Sequence, residues 1–156
     1  MNIFVIDPNP TTCAQALDDL RLNKMIIETA QLLSTAMREH GYFGNLVYKS
    51  SHLNHPCAIW ARQTDSNYRW LLSYLEALVM ERRSRSPKHH KTYDKVYMLT
   101  QGLSFIPKGD LTPWPNCTPN KHITDIHDAY KATMRDKWAN DKRPPKWTNA
   151  TKPSWA

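Results

Sequence analysis

The stretch from Thr12 to His40, TCAQALDDLRLNKMIIETAQLLSTAMREH, contains neither glycine nor proline. A run of this length without a breaker is predicted to be helical, and Thr12 with Gln15 three positions on is a capping-box start. At 100° per residue, Leu22, Met25, Ile26, Leu32, Leu33 and Ala36 share one broad apolar face. Leu20 and Ile27 form a second, narrower strip. Arg21, Lys24, Glu28 and Gln31 run between the two, while Asp19, Asn23, Ser34 and Arg38 take a sector read as solvated. A polar stripe with apolar residues on both sides differs from the usual outer face of a helix and points to a charged group on the floor of a cleft. The alternative is a plain solvated face with a Lys24–Glu28 pair. Periodicity alone leaves both readings open.

The chain has 156 residues, which fits one domain over 1–156 with room for a real core. Its charged fraction of 22% and aromatic fraction of 10% exclude a disordered chain. The net charge of +7 points to a polyanionic partner, nucleic acid before an anionic membrane surface. Cys13, Cys57 and Cys117 are scattered and form no CxxC, which fits a reducing compartment without a disulfide framework. The apolar run Ile3–Ile6 is too short for a signal peptide or a membrane span. A soluble, cytoplasmic, monomeric protein is expected.

Along the chain, Met1 to Ile6 reads as a short strand or extended lead-in, and Asp7-Pro8-Asn9-Pro10 as a turn. The first helix then runs to about His40, with Gly41 past its end. After a loop over 41–55, Pro56 suits the first turn of a second helix over about 56–84, capped by Asn54 or His55. Trp60, Thr64, Leu71, Leu75 and Leu78 form its core stripe, widened by Asn67, Tyr68 and Tyr74. The cations of Glu81-Arg82-Arg83-Ser84-Arg85 complement the helix dipole. A short third helix over 88–101 turns Tyr93, Val96, Tyr97 and Leu99 inward. Residues 102–121 form a long Pro-rich loop. A fourth helix spans Thr124–Trp138, with Ile126, Tyr130, Met134 and Trp138 on one face. The tail over 140–156 alternates Lys or Arg with Pro and Trp. The expected fold is therefore all-α, a compact bundle of three to four helices with a short extended N-terminus and a basic, aromatic C-terminal arm.

Few patterns carry chemistry by spacing. The pairs His52/His55, His89/His90 and His122/His127 lack the i, i+4 spacing of a helical zinc site, so neither a metal nor a cofactor is expected. No phosphate-binding glycine loop or nucleophile elbow occurs. Lys146-Trp147 and Lys152-Pro153-Ser154-Trp155 pair a phosphate contact with a stacking surface. Both Trp rings suit a C-terminal clasp on the helices equally well. Glu28 beside Arg21, Lys24 and Gln31 is suited to stabilising positive charge on a sugar or to moving protons.

The residues Leu17-Asp18-Asp19-Leu20-Arg21-Leu22-Asn23-Lys24 followed by Glu28 resemble an LDDxRLxKxxxE stretch of bacterial and phage pyrimidine-dimer DNA glycosylases of the endonuclease V type. His55-Pro56, Trp60, Asn67-Tyr68 and Trp70-Leu71 are similar to that group's second helical motif. The ending from Lys146-Trp147-Thr148 to Pro153-Ser154-Trp155 is similar to the tails of a large phage subgroup. The resemblance implies an all-α DNA-repair fold in which a terminal amine attacks C1′ of the damaged nucleotide, a Schiff base forms, and elimination nicks the strand. It implies Glu28 as the essential carboxylate and Arg21, with Lys24, as phosphate contacts. Best-known members expose a small second residue once Met is removed. Here residue 2 is Asn, a poor context for that removal, so the nucleophile is the Met1 amine, a different Lys, or absent, with Met1 as the first candidate.

The expected activity is thus a DNA glycosylase with abasic-site lyase activity on duplex DNA. Glu28 and Met1 are the catalytic candidates. Asn2, Arg21, Lys24, Gln31, His55, Asn67, Lys146, Trp147 and Trp155 are the substrate-binding candidates. The alternatives are a non-catalytic nucleic-acid-binding module and an enzyme acting on free nucleotides or modified bases.

Overall fold

In the computed structural model, which describes residues 2–156, the breaker-free run folds as two helices rather than one, α1 over Pro10–Ala16 and α2 over Asp19–Glu39. Leu17 and Asp18 between them are extended. The cause is Asp18, whose carboxylate accepts a hydrogen bond from the Arg21 amide at 3.4 Å and so caps α2. The same carboxylate accepts from the Trp138 indole at 2.8 Å. An Asp side chain that bonds its own backbone offers the chain an exit from the helix. The Thr12–Gln15 capping box is not used. Asn9 caps α1 by accepting from the Thr11 amide, and Pro10 opens the helix.

The expected second helix is likewise two, α3 over Pro56–Gln63 and α4 over Asp65–Arg85. Thr64, read from the sequence as a core residue, is the cap between them, accepting at Oγ1 from the Asn67 amide at 3.1 Å. His55 caps α3 and Pro56 opens it, as the sequence suggested. The third region is a 3-10 turn over Lys91–Lys95, α5 over Val96–Gln101, and a second 3-10 turn over Gly102–Phe105. α6 spans Ile126–Ala139. No strand occurs among the described residues, so the fold is all-α; the lead-in before Asp7, read from the sequence as a strand or extended segment, is unpaired and turned, with the Ile6 amide donating to the Phe4 carbonyl at 2.8 Å.

α2 packs on α3 and α4, and α1 on α4. The apolar face of α2 is the centre of the core: Leu22, Met25, Ile26, Leu32, Leu33 and Ala36 are at most 1% exposed. Tyr68, Leu71, Tyr74, Leu75 and Leu78 of α4 meet it, fully buried. Each such side chain contributes about 1.5–3 kcal/mol by leaving water. The lead-in Ile3–Ile6 is buried too, and His127 of α6 bonds the Val5 carbonyl at 2.9 Å. α6 adds Tyr130, Met134 and Trp138 to the core.

Two side-chain assignments made from periodicity alone are corrected. Ser34 is buried rather than solvated, donating to the Ala30 carbonyl and accepting from the Tyr48 amide. Tyr97 points outward, 76% exposed, because α5 is too short for a full inward stripe. Arg85 is buried and structural, donating to the Leu17 and Gln15 carbonyls and pairing with Asp19 and Glu81.

The tail carries no helix and wraps the α1–α2 junction. The Asp19 amide donates to the Lys146 carbonyl at 2.8 Å, and Thr148 Oγ1 donates to the Asp19 carboxylate at 2.6 Å. The Trp147 indole donates to the Ala16 carbonyl at 3.0 Å. Its ring meets Trp138 edge-on with centroids 5.1 Å apart, while Trp155 stacks on Trp138 at 5.5 Å. Of the two roles the sequence left open for these Trp residues, the packed one is seen.

Candidate active site

Three of the four members of the α2 polar stripe line a cleft. Arg21, Lys24 and Glu28, one helical turn apart, form one wall with Leu20 and Met25. Asn2 and Phe4 of the lead-in and Lys137 of α6, whose ammonium lies over the Phe4 ring, line it as well. The cavity measures about 320 Å³, enough for one nucleoside-sized group. Leu20 lines it while 62% exposed, which puts an apolar side chain beside the charged ones.

The lead-in is shaped for this position. Phe4 has φ of 47°, a left-handed conformation that a bulky residue rarely adopts. The Asn2 carboxamide oxygen accepts from the Phe4 amide at 2.9 Å and closes the turn. Backbone held in such a region costs about 1–3 kcal/mol and is found where surrounding structure over-determines it, often at functional sites. Here burial of Ile3 and Val5 on either side supplies that constraint.

The electrostatics are uneven along the stripe. Arg21 is already engaged. Its guanidinium donates to both carboxylate oxygens of Asp141 at 2.8 Å and to Asp18 at 3.2 Å. The bidentate bond to Asp141 holds the Asp141 carboxyl below its usual range and raises Arg21 further. Lys24 and Lys137 are exposed and form no ion pair among the described residues. Glu28 is half-buried and pairs with no cation among the described residues, so the Lys24–Glu28 bridge of a plain solvated face is not formed. The result is a carboxylate without an ion-pair partner among the described residues, in a cavity it shares with Lys24 and with Lys137, whose ammonium lies over the Phe4 ring.

Of the residues singled out from the sequence, Asn2, Arg21, Lys24 and Glu28 line this cleft. Met1 lies outside the described residues. Gln31 is half-buried further along α2 and does not line the cavity. His55 caps α3, its Nδ1 accepting from the Cys57 amide at 3.1 Å, and burial lowers its pKa while the Glu28 charge opposes that shift. Asn67 is fully buried and spent on structure: its amide nitrogen donates to the Trp60 carbonyl and to Thr112 Oγ1, and its oxygen accepts from the Thr112 amide. Lys146 is exposed, and Trp147 and Trp155 sit in the clasp. Phe4 and Lys137 were missed. Lys137 belongs to a helix far along the chain, and nothing in its neighbours marks it.

No helix of the described residues is long and apolar enough to cross a membrane. Neither the curated proteins nor the solved structures contain a match to this chain. The family model described as pyrimidine dimer DNA glycosylase matches residues 1–95, which takes in the lead-in, α1 to α4 and every wall of the cleft except Lys137. That match spans more than half of the chain, and the chain belongs to the pyrimidine dimer DNA glycosylase family.

Proposed function

We propose that this protein is a DNA N-glycosylase with abasic-site lyase activity, acting as a monomer on damaged or modified pyrimidines in duplex DNA. The observation that carries the reading is the meeting of the lead-in with Glu28 in one cationic cleft: Asn2, next to the chain's first residue, lines the same cavity as the carboxylate. An α-amine has an ordinary pKa near 8 and is partly neutral at pH 7, which suits a nucleophile. In the proposed reaction the Met1 amine bonds to C1′ while the C1′–base bond breaks and the base leaves with the electron pair and a proton. The sugar ring opens to an imine. Loss of a C2′ proton and cleavage of the C3′–oxygen bond then nick the strand, and water releases the protein. Glu28 is the acid–base group for these proton movements and stabilises the cationic sugar. Lys24 and Lys137 hold flanking phosphates, and Arg21 joins them once a phosphate competes with Asp141. The target nucleotide is extruded from the stack, since the cavity admits one base and no duplex. The free thiols fit the reducing cytoplasm.

Borohydride reduction in the presence of abasic-site duplex is the test. It fixes an imine as a stable amine, so a covalent protein–DNA adduct is expected on wild-type protein. A protein that shifts abasic duplex in a gel yet never cross-links would be a binding module instead.

A further inference from the structure

Outside the cleft, one side-chain cluster is left unused by the proposed reaction. His55 and Cys57 stand at the start of α3, and Cys117 comes in from the Pro-rich loop, 60 positions further along the chain than Cys57. The Cys57 and Cys117 sulphurs are 3.4 Å apart, and one ligand atom from each of the three residues lies within 4.8 Å of the others. We propose that His55, Cys57 and Cys117 form a binding site for a thiophilic divalent cation of the zinc type, which braces the Pro-rich loop against the start of α3.

The geometry carries this. A tetrahedral zinc ion with bonds of about 2.3 Å to sulphur and about 2.0 Å to nitrogen sets its ligand atoms roughly 3.5–3.8 Å apart. The three atoms therefore need to move by no more than about 1 Å to meet one ion. Two thiols and an imidazole are the donor set that selects zinc over oxygen-loving cations. His55 Nδ1 accepts from the Cys57 amide at 3.1 Å, so an ion takes this imidazole either by replacing the amide at Nδ1 or, at Nε2, once the ring proton has moved to Nδ1. Metal binding needs thiolate. Binding therefore releases the protons of Cys57 and Cys117, whose sulphurs already share a hydrogen bond. The surroundings also explain why a brace is useful. The loop is tied to α3 and α4 near Thr112 and to α6 near Asn120, and Cys117 lies between those ties. The fourth position of the ion is left to water.

The test needs no activity measurement, so it stands or falls apart from the glycosylase reading. Full-length protein, purified with reductant and without a chelator or a metal column, is expected to retain about one zinc per chain. Replacing zinc with cobalt(II) should give the intense near-ultraviolet band of thiolate–cobalt charge transfer. Cys117→Ser should lose the retained zinc and weaken cobalt binding about 100-fold or more, a ligand's loss exceeding that of an outer-shell partner. His55→Asn should do the same while keeping a good helix cap, which covers the case in which the Ser variant misfolds. Reduced wild-type protein that takes up neither zinc nor cobalt would overturn the proposal. So would variants that bind cobalt as wild type does. A Cys57–Cys117 disulfide in protein prepared without reductant, together with no metal affinity after reduction, would make the pair a redox couple instead.

Discussion

At the scale of the residue, Glu28 is decided by what it does not touch. On an exposed helix face a Glu four positions from a Lys contributes well under about 1 kcal/mol, and its loss is silent. Glu28 is half-buried, faces a cavity, and has no cation paired to it among the described residues. Glu28→Gln keeps shape and hydrogen bonding but cannot carry the charge or the proton. The variant is expected to melt within a degree or two of wild type and to bind DNA as well or more tightly, one negative charge near phosphate having gone. Single-turnover base release and nicking on dimer-containing and abasic duplexes should fall about 100-fold or more. Nicking at the wild-type rate would remove Glu28 from the reaction. The α2 stripe was legible because three of its members repeat on one helix face. Asn67 misled for the opposite reason. A polar residue on an apolar helix face marks either a site or a buried amide with its partners elsewhere, and Thr112, which settles the matter, is 45 positions away.

At the scale of the element, the two missed breaks share a physical cause. Absence of Gly and Pro permits a helix but does not compel one, and at Asp18 and Thr64 a side-chain cap wins over continuation. At Asp18 the competition is settled by a distant residue, since the carboxylate also takes the Trp138 indole proton. Asp18→Ala removes the α2 cap, typically about 1 kcal/mol, and leaves a buried indole N–H without its acceptor, about 1–3 kcal/mol more. A total loss of about 2–4 kcal/mol is expected in urea unfolding. Asp18→Asn, whose single amide oxygen replaces only one of the two carboxylate acceptors, should recover only part of it. If Asp18→Ala unfolds at the wild-type midpoint, the break is set by something other than this carboxylate. The same contacts explain why the tail was ambiguous. Lys-Trp pairs look alike whether the ring stacks on a base or on Trp138, and only the position of α6 distinguishes the two.

At the scale of the whole molecule, two opposed electrostatic demands meet at Arg21. The net charge of +7 draws DNA phosphate. If about four to six phosphates are contacted, the logarithm of the duplex binding constant should fall with the logarithm of salt at a slope of roughly −4 to −5. Binding that is flat from low to moderate salt would remove the polyanion argument. Yet Arg21 spends its fork on Asp141, which fastens the beginning of the tail to α2, while Asp19 fastens the middle through Thr148 and the Lys146 carbonyl. The Arg21 bond lowers the Asp141 pKa. Asp19 is lowered as well: burial opposes the shift, and the bonds from Thr148 and Arg85 outweigh it. A carboxyl whose folded pKa is depressed stabilises the folded state above its unfolded pKa, about 3.9, and that contribution is lost as pH falls through the folded value. The clasp should therefore hold from neutrality down to about pH 4 and loosen below it. Trp138, Trp147 and Trp155 report this directly, because release of the tail unstacks them and exposes the buried Trp138 ring to water. On acid titration, a red shift of tryptophan emission is expected below about pH 4, ahead of loss of far-ultraviolet helix signal. In Asp141→Asn the neutral side chain cannot titrate, so the early red shift should shrink to the part that Asp19 carries. Emission and helix signal moving together in wild type would mean that the tail is no separate clasp but part of the same cooperative unit as α2.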